Sequence, residues 1–216
     1  MLFTPNMMLA TSGHARELVF LSASRNDSAL STYTFSAVSF GSPSPLRYII
    51  VGVTIYDGST NNNVGSMTIG GVSATEIATT FNGGRRACIW GALVPAGASG
   101  DIVINTNNGV GTYLMMSAWA AYGISSLTPY ATAASTANPG YLNINAPADG
   151  MLIAVANPGS NGDISWTGAD EKAQYTGPER WMSSASAWPT AAATPRTVTA
   201  TYASASAPTA IAVVLS

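Results

Sequence analysis

Thr197-Val198-Thr199-Ala200-Thr201-Tyr202 places three threonines on one face of an extended chain and Val, Ala and Tyr on the other. That period of two is the mark of a strand with one buried face. Tyr141-Leu142-Asn143-Ile144-Asn145 repeats it, with asparagines outward and Leu142 and Ile144 inward. Other stretches are nearly continuous in apolar residues: Tyr48–Val53, Leu152–Ala156 and Ile211–Leu215. Such runs suit central strands covered on both faces, and their β-branched content argues against helices. Turn chemistry separates the runs. Gly70-Gly71 joins two short strands, Pro95–Asp101 lies between Ile89–Val94 and Ile102–Ile104, and Pro147-Ala148-Asp149-Gly150 precedes Met151–Ala156. Ala131–Ala137 and Ala191–Ala193 are alanine-rich but show no amphipathic helical stripe. The pattern predicts an all-β chain of roughly ten to twelve short strands in an antiparallel, jelly-roll-like β-sandwich.

Composition narrows the function. The 216 residues include eight Lys and Arg, ten Asp and Glu, and a formal net charge of −2. Charged residues are 8% of the chain, against about 25% in an average soluble domain. No basic field is present to hold a phosphate backbone, so nucleic-acid binding is not expected. The apolar runs fall short of the roughly 18–20 residues of a membrane helix, and the N-terminal residues do not have the pattern of a secretory signal. No membrane insertion is expected. A single Cys and a single His exclude an internal disulfide framework and two-His zinc motifs.

Two regions break the strand rhythm. Residues 1–15 hold Met7, Met8 and His14 without periodicity and are expected to form an N-terminal docking arm. Residues 160–195 hold Trp166, Tyr175, Trp181 and Trp188 with Asp170, Glu171, Lys172, Glu179 and Arg180. They are expected to form a long loop within one sandwich domain spanning residues 16–216.

Catalytic chemistry finds little support. His14 is the one side chain suited to act as a base near neutral pH, and no nucleophile motif accompanies it. Cys88 lies in strand-like Ala87-Cys88-Ile89-Trp90 and reads as a small core residue, although Arg85 and Arg86 nearby could lower its pKa. Tyr56-Asp57-Gly58-Ser59-Thr60-Asn61-Asn62-Asn63 offers oxygen ligands without the spacing of a calcium loop. Asp170-Glu171 beside Lys172 reads as solvated charge rather than as an acid and base pair. No enzyme, no cofactor and no metal site is expected. The aromatic set Trp166, Tyr175, Trp181 and Trp188 is the constellation with functional promise, as a contact surface for protein or for the faces of sugars. Burial of these rings within or between subunits is the alternative.

In order, several pieces resemble a β-sandwich module of virion proteins from tailed bacteriophages. They are Thr32–Gly41, Arg47–Val51, Met67–Thr75, Val94–Ile102, Gly123–Tyr130, Pro147–Gly150 and the closing Thr197–Ser216. The resemblance implies a virion location and a structural role as capsid decoration or cement, fibre or tail-appendage component. The implied partners are other virion proteins and copies of the chain itself. It carries over no catalytic residues. The single lysine, Lys172, agrees with assembly, because monomeric β proteins guard exposed edges with charges, lysine above all. The alternative expectation is a carbohydrate-binding or host-adhesion module whose Trp-bearing loop takes a host-surface glycan.

Overall fold

The computed structural model describes residues 15–56, 63–107, 113–160, 162–175 and 182–216. Seventeen strands and no helix are found among them, more than the ten to twelve expected. The first nine are β1 (Glu17–Asn26), β2 (Thr32–Ser39), β3 (Arg47–Tyr56), β4 (Val64–Ile69), β5 (Val72–Ser73), β6 (Thr75–Asn82), β7 (Arg85–Leu93), β8 (Ser99–Thr106) and β9 (Tyr113–Tyr122). They pair antiparallel into an inner sheet, β1-β9-β3-β7-β6, and an outer sheet, β2-β8-β4-β5. The other eight are β10 (Ala131–Ser135), β11 (Gly140–Ala146), β12 (Met151–Asn157), β13 (Ile164–Thr167), β14 (Asp170–Tyr175), β15 (Met182–Ala187), β16 (Ala193–Tyr202) and β17 (Thr209–Leu215). These form an inner sheet, β10-β17-β12-β15-β14, and an outer sheet, β11-β16-β13.

The two halves have one topology. Replacing β1, β2, β3, β4, β6, β7, β8 and β9 by β10 through β17 in order converts one pair of sheets into the other, and only β5 lacks a counterpart. Without β6, the first half has the 1-9-3-7 and 2-8-4-5 order of a jelly roll. The hairpin entries also correspond. Arg47 N–H donates to Ser44 O at 3.1 Å and Gly150 N–H to Pro147 O at 3.2 Å. Val94 N–H donates to Arg47 O at 3.0 Å and Thr190 N–H to Gly150 O at 3.1 Å.

Three apolar cores separate four layers. Ile49, Val51, Val53, Met67, Ile102, Ile104, Met116 and their neighbours fill the first sandwich. Leu142, Ile144, Leu152, Ala154, Val198, Ala212 and Val214 fill the second. Between the two inner sheets lie Ile50, Ile89, Trp119, Ile153, Val155, Ile211 and Val213. This third core explains the continuous apolar runs. Each inner strand has a sheet on both sides, so β3, β9, β12 and β17 bury successive residues rather than alternate ones. The chain is therefore all-β and antiparallel with jelly-roll-like sandwich topology, as expected from the sequence, in the form of two sandwiches fused back to back.

The two inner sheets pack face to face. β6 packs beside β10 and its counterpart β14 beside β1, while β3 packs on its own counterpart β12. Gly52 of β3 meets Val155 of β12 there, and a Cβ at position 52 would stand 2.5 Å from Val155 Cγ1. Glycine is required by this approach of the two sheets. In the same interface Ser117 and Ser184 are buried and hydrogen-bonded at 2.9 Å. Their counterparts, Ile89 and Ile211, both lie in the apolar core.

The expected long loop at 160–195 contains β13, β14 and β15 and enters β16 at Ala193. Its charge density reads as loop because three ionisable residues follow one another, but β14 is the edge strand of its sheet, where Asp170, Glu171 and Lys172 keep water access. Its serines mislead likewise. Ser183, Ser184 and Ser186 of β15 are buried, with the first two hydrogen-bonded to other side chains. Ala131–Ser135, alanine-rich, is the edge strand β10. The expected arm at residues 1–15 lies outside the described residues except for Ala15.

Candidate functional site

The four aromatics singled out by the sequence do not converge. Trp166, on β13, is half-buried against the second sandwich core, and its indole N–H donates to Ser183 Oγ at 2.8 Å. Ser183 Oγ in turn donates to Ala173 O at 3.0 Å, which ties β13, β14 and β15 together. Tyr175 ends β14, and its hydroxyl donates to Ala23 O of β1 at 2.9 Å. It bolts the second half to the first. Trp181 lies outside the described residues, as do Met7, Met8, His14 and all of the Asp57–Asn63 segment except Asn63.

Trp188 alone of the described members faces out, with 37% of its surface exposed. It follows β15 and borders an open groove of about 390 Å³ with Gly168, Ala169, Asp170, Ala187, Pro189 and Arg196. The groove floor is set by a close backbone approach. Gly168 has φ +79°, and a Cβ there would stand 2.4 Å from Thr197 O, so the β13–β14 turn presses onto β16 through a glycine. Arg196 fixes the same turn by donating from Nε and Nη2 to Gly168 O at 3.1 and 2.6 Å. Asp170 is largely exposed and stands 3.7 Å from Lys172 Nζ. The carboxyl of neighbouring Glu171 is held above the usual carboxylate range by partial burial and by the charge of Asp163. The groove offers an apolar ring beside a carboxylate acceptor and guanidinium donors. That combination can stack on a sugar face and bond its hydroxyls.

Cys88 is fully buried, and its thiol is pushed up to about 12, by burial first and then by the Glu76 charge. Contacts with Trp90 and Arg86 pull the other way without reversing the shift. It is a core residue rather than a thiolate.

Sequence reasoning missed the second group of exposed aromatics. Phe81 on β6, Tyr130 just before β10 and Tyr141 on β11 have 51%, 56% and 57% of their surfaces exposed, and Val72 of β5 is exposed with them. All stand on the side where β5, β6, β10 and β11 form the sheet edges. The available signal was two tyrosines flanking a run of small residues, Tyr130 to Tyr141, in the stretch weighed as a helix.

Comparison with protein families, curated proteins and solved structures returns no match to this chain.

Proposed function

We propose that the protein is a non-catalytic structural component of a tailed-phage virion, a decoration, cement, fibre or tail-appendage subunit acting through contacts between subunits. The observation that supports a role in assembly is the chemistry of the two outer faces. On the first, Thr32 Oγ1 donates to Asn105 Oδ1 at 2.8 Å and Asn105 Nδ2 to Ser66 Oγ at 3.1 Å, a neutral ladder across β2, β8 and β4. On the second, Thr197 Oγ1 donates to Asn143 Oδ1 at 2.9 Å, between β16 and β11. Side chains that already satisfy one another, and carry no charge, can be covered by a neighbouring subunit without desolvating an ion. The virion location rests on the family resemblance. Quantitative mass spectrometry of purified particles tests it: the chain is expected at a fixed copy number, and its absence from particles would overturn the proposal.

The groove at Trp188 favours a second function, host adhesion through a surface glycan. Under that alternative, Trp188→Ala removes glycan-array binding and cell attachment while particles still assemble. Under the structural proposal the array stays blank for both proteins.

A further inference from the structure

Among the described residues eight strands form the edges of the four sheets, and six of them are guarded, leaving β10 and β11. β1, β2, β6 and β14 each carry a bulge, at Phe20/Ser22, Phe35/Val38, Glu76/Ala78 and Glu171/Ala173, whereas the irregularity beside Ile144/Ala146 inserts its residue in β16 and leaves edge strand β11 unbroken over Gly140–Ile144. In β2 the bulge holds Ala37 at φ +53°, fixed by its N–H to Asp101 Oδ1 at 3.0 Å. β5 is two residues long, and β13 is four residues long with its Ile164 N–H taken by Gln174 Oε1 at 2.8 Å. Bulges, brevity and capping are the ordinary means of blocking further strand addition. β10 has none of them. Ala131-Thr132-Ala133-Ala134-Ser135 pairs with β17 in unbroken register and contains no charge and no proline.

The surroundings differ in the same sense. On the β5, β6, β10 and β11 side these four strands carry one charged residue, Glu76, whereas the opposite strands β1, β2, β13 and β14 carry Glu17, Arg25, Asp170, Glu171 and Lys172. These two sides correspond under the exchange of the halves, and the one with the exposed aromatics carries fewer charges, Glu76 and the Arg86 guanidinium over Phe81. Tyr130 and Tyr141 flank β10, and a groove of about 310 Å³ lined by Ile77, Leu127 and Pro129, among others, opens beside it.

We propose that the free edge of β10 pairs antiparallel with β10 of a second copy of this chain across a twofold axis, joining two five-stranded inner sheets into one. The proposal rests on the assembly role given above and names its surface. A second copy fits because the strand is self-complementary. With Ala133 on the axis, Ala131 faces Ser135 of the other copy and Thr132 faces Ala134, so no bulky pair and no like charges meet. A charged partner would find no counter-charge on β10 to meet it.

Paired residues on such an axis have Cα atoms about 4.5–5.5 Å apart, within disulfide reach. Ala133→Cys is therefore expected to give a covalent species of twice 22.1 kDa on mild oxidation, with buried Cys88 silent. Thr34→Cys, on the opposite side, should give no covalent dimer in the same test. Thr132→Lys with Ala134→Lys should weaken association measured by sedimentation more than tenfold and leave the thermal transition in place. A monomer at micromolar concentration that fails to cross-link, or an oligomer indifferent to these lysines, would overturn the proposal. Particle incorporation of the unmodified chain separates the two levels. A monomer found in virions defeats the β10 interface alone, and a β10 dimer absent from virions defeats the virion role alone.

Discussion

Gly52→Ala probes the interface on which the two sandwiches meet. The added methyl would stand 2.5 Å from Val155 Cγ1 and 3.3 Å from Trp119 Cζ3, both in the fully buried core between the inner sheets. Valine in a strand has little χ1 freedom, so Val155 cannot swing away without strain. Overpacking of this kind costs about 1–3 kcal/mol, partly offset by the lower chain entropy of alanine in the unfolded state. At about 2–4 °C per kcal/mol for a chain of this size, the melting temperature should fall by about 3–8 °C. Val155→Ala alone leaves a void and should cost about 1–3 kcal/mol. In the double variant the new methyl occupies space that Val155 vacates, so the double should be more stable than the sum of the singles by about 1 kcal/mol or more. Urea unfolding of all four proteins, with midpoints compared at constant slope, measures this coupling. Strictly additive losses would refute the direct packing of Gly52 on Val155, and with it the close approach of the inner sheets.

Arg47 is fully buried, and its guanidinium donates to the carbonyls of Val94, Gly41, Ala96 and Gly97 at 2.7–2.9 Å. Arg47→Met should cost about 3 kcal/mol in urea unfolding, because several charge-assisted bonds are lost while the desolvation of one cation is relieved. Tyr175→Phe, which deletes the bond to Ala23 O, should cost about 1 kcal/mol, and an unchanged midpoint would show that this link between the halves contributes nothing. Cys88 should resist a thiol reagent at pH 8 until the protein unfolds. Burial raises its folded pKa above that of the unfolded chain, so its contribution to stability is complete below about pH 9 and declines between there and about 12. Tyr33 and Tyr202, also raised by burial, act in the same direction at higher pH, and a stability curve flat from pH 9 to 11 would contradict this assignment.

The strands were legible where one physical cause dominated. Alternation in 141–145 and 197–202 marked β11 and β16 because each has one face on a core and the other largely in water, Thr199 excepted. The continuous runs of β3, β12 and β17 were also legible as central strands covered on both faces, and the third core supplies the second cover. A two-sheet sandwich leaves every strand one face free of sheet contact, so residue after residue of apolar character calls for a further layer. The repeated topology was not legible. A jelly-roll position requires only the right alternation, and topologically equivalent residues between the inner sheets differ: Gly52 against Val155, Ile89 and Ile211 against Ser184 and Ser117. β14 and β15 were hidden for opposite reasons, one being charged because it is an edge, the other serine-rich because its hydroxyls find partners inside. Of the aromatic set, spacing could not separate Trp166 and Tyr175, which hold the fold, from Trp188, which faces out.

The central claim, that this chain works by being built into a particle, is tested most directly by quantitative mass spectrometry of purified virions against the major capsid protein. The account predicts the chain at a reproducible, multi-copy stoichiometry that survives washing in high salt, because neutral faces and strand pairing are little screened by ions. Virions that contain no copies of it, or shed all of them in salt, would contradict the account.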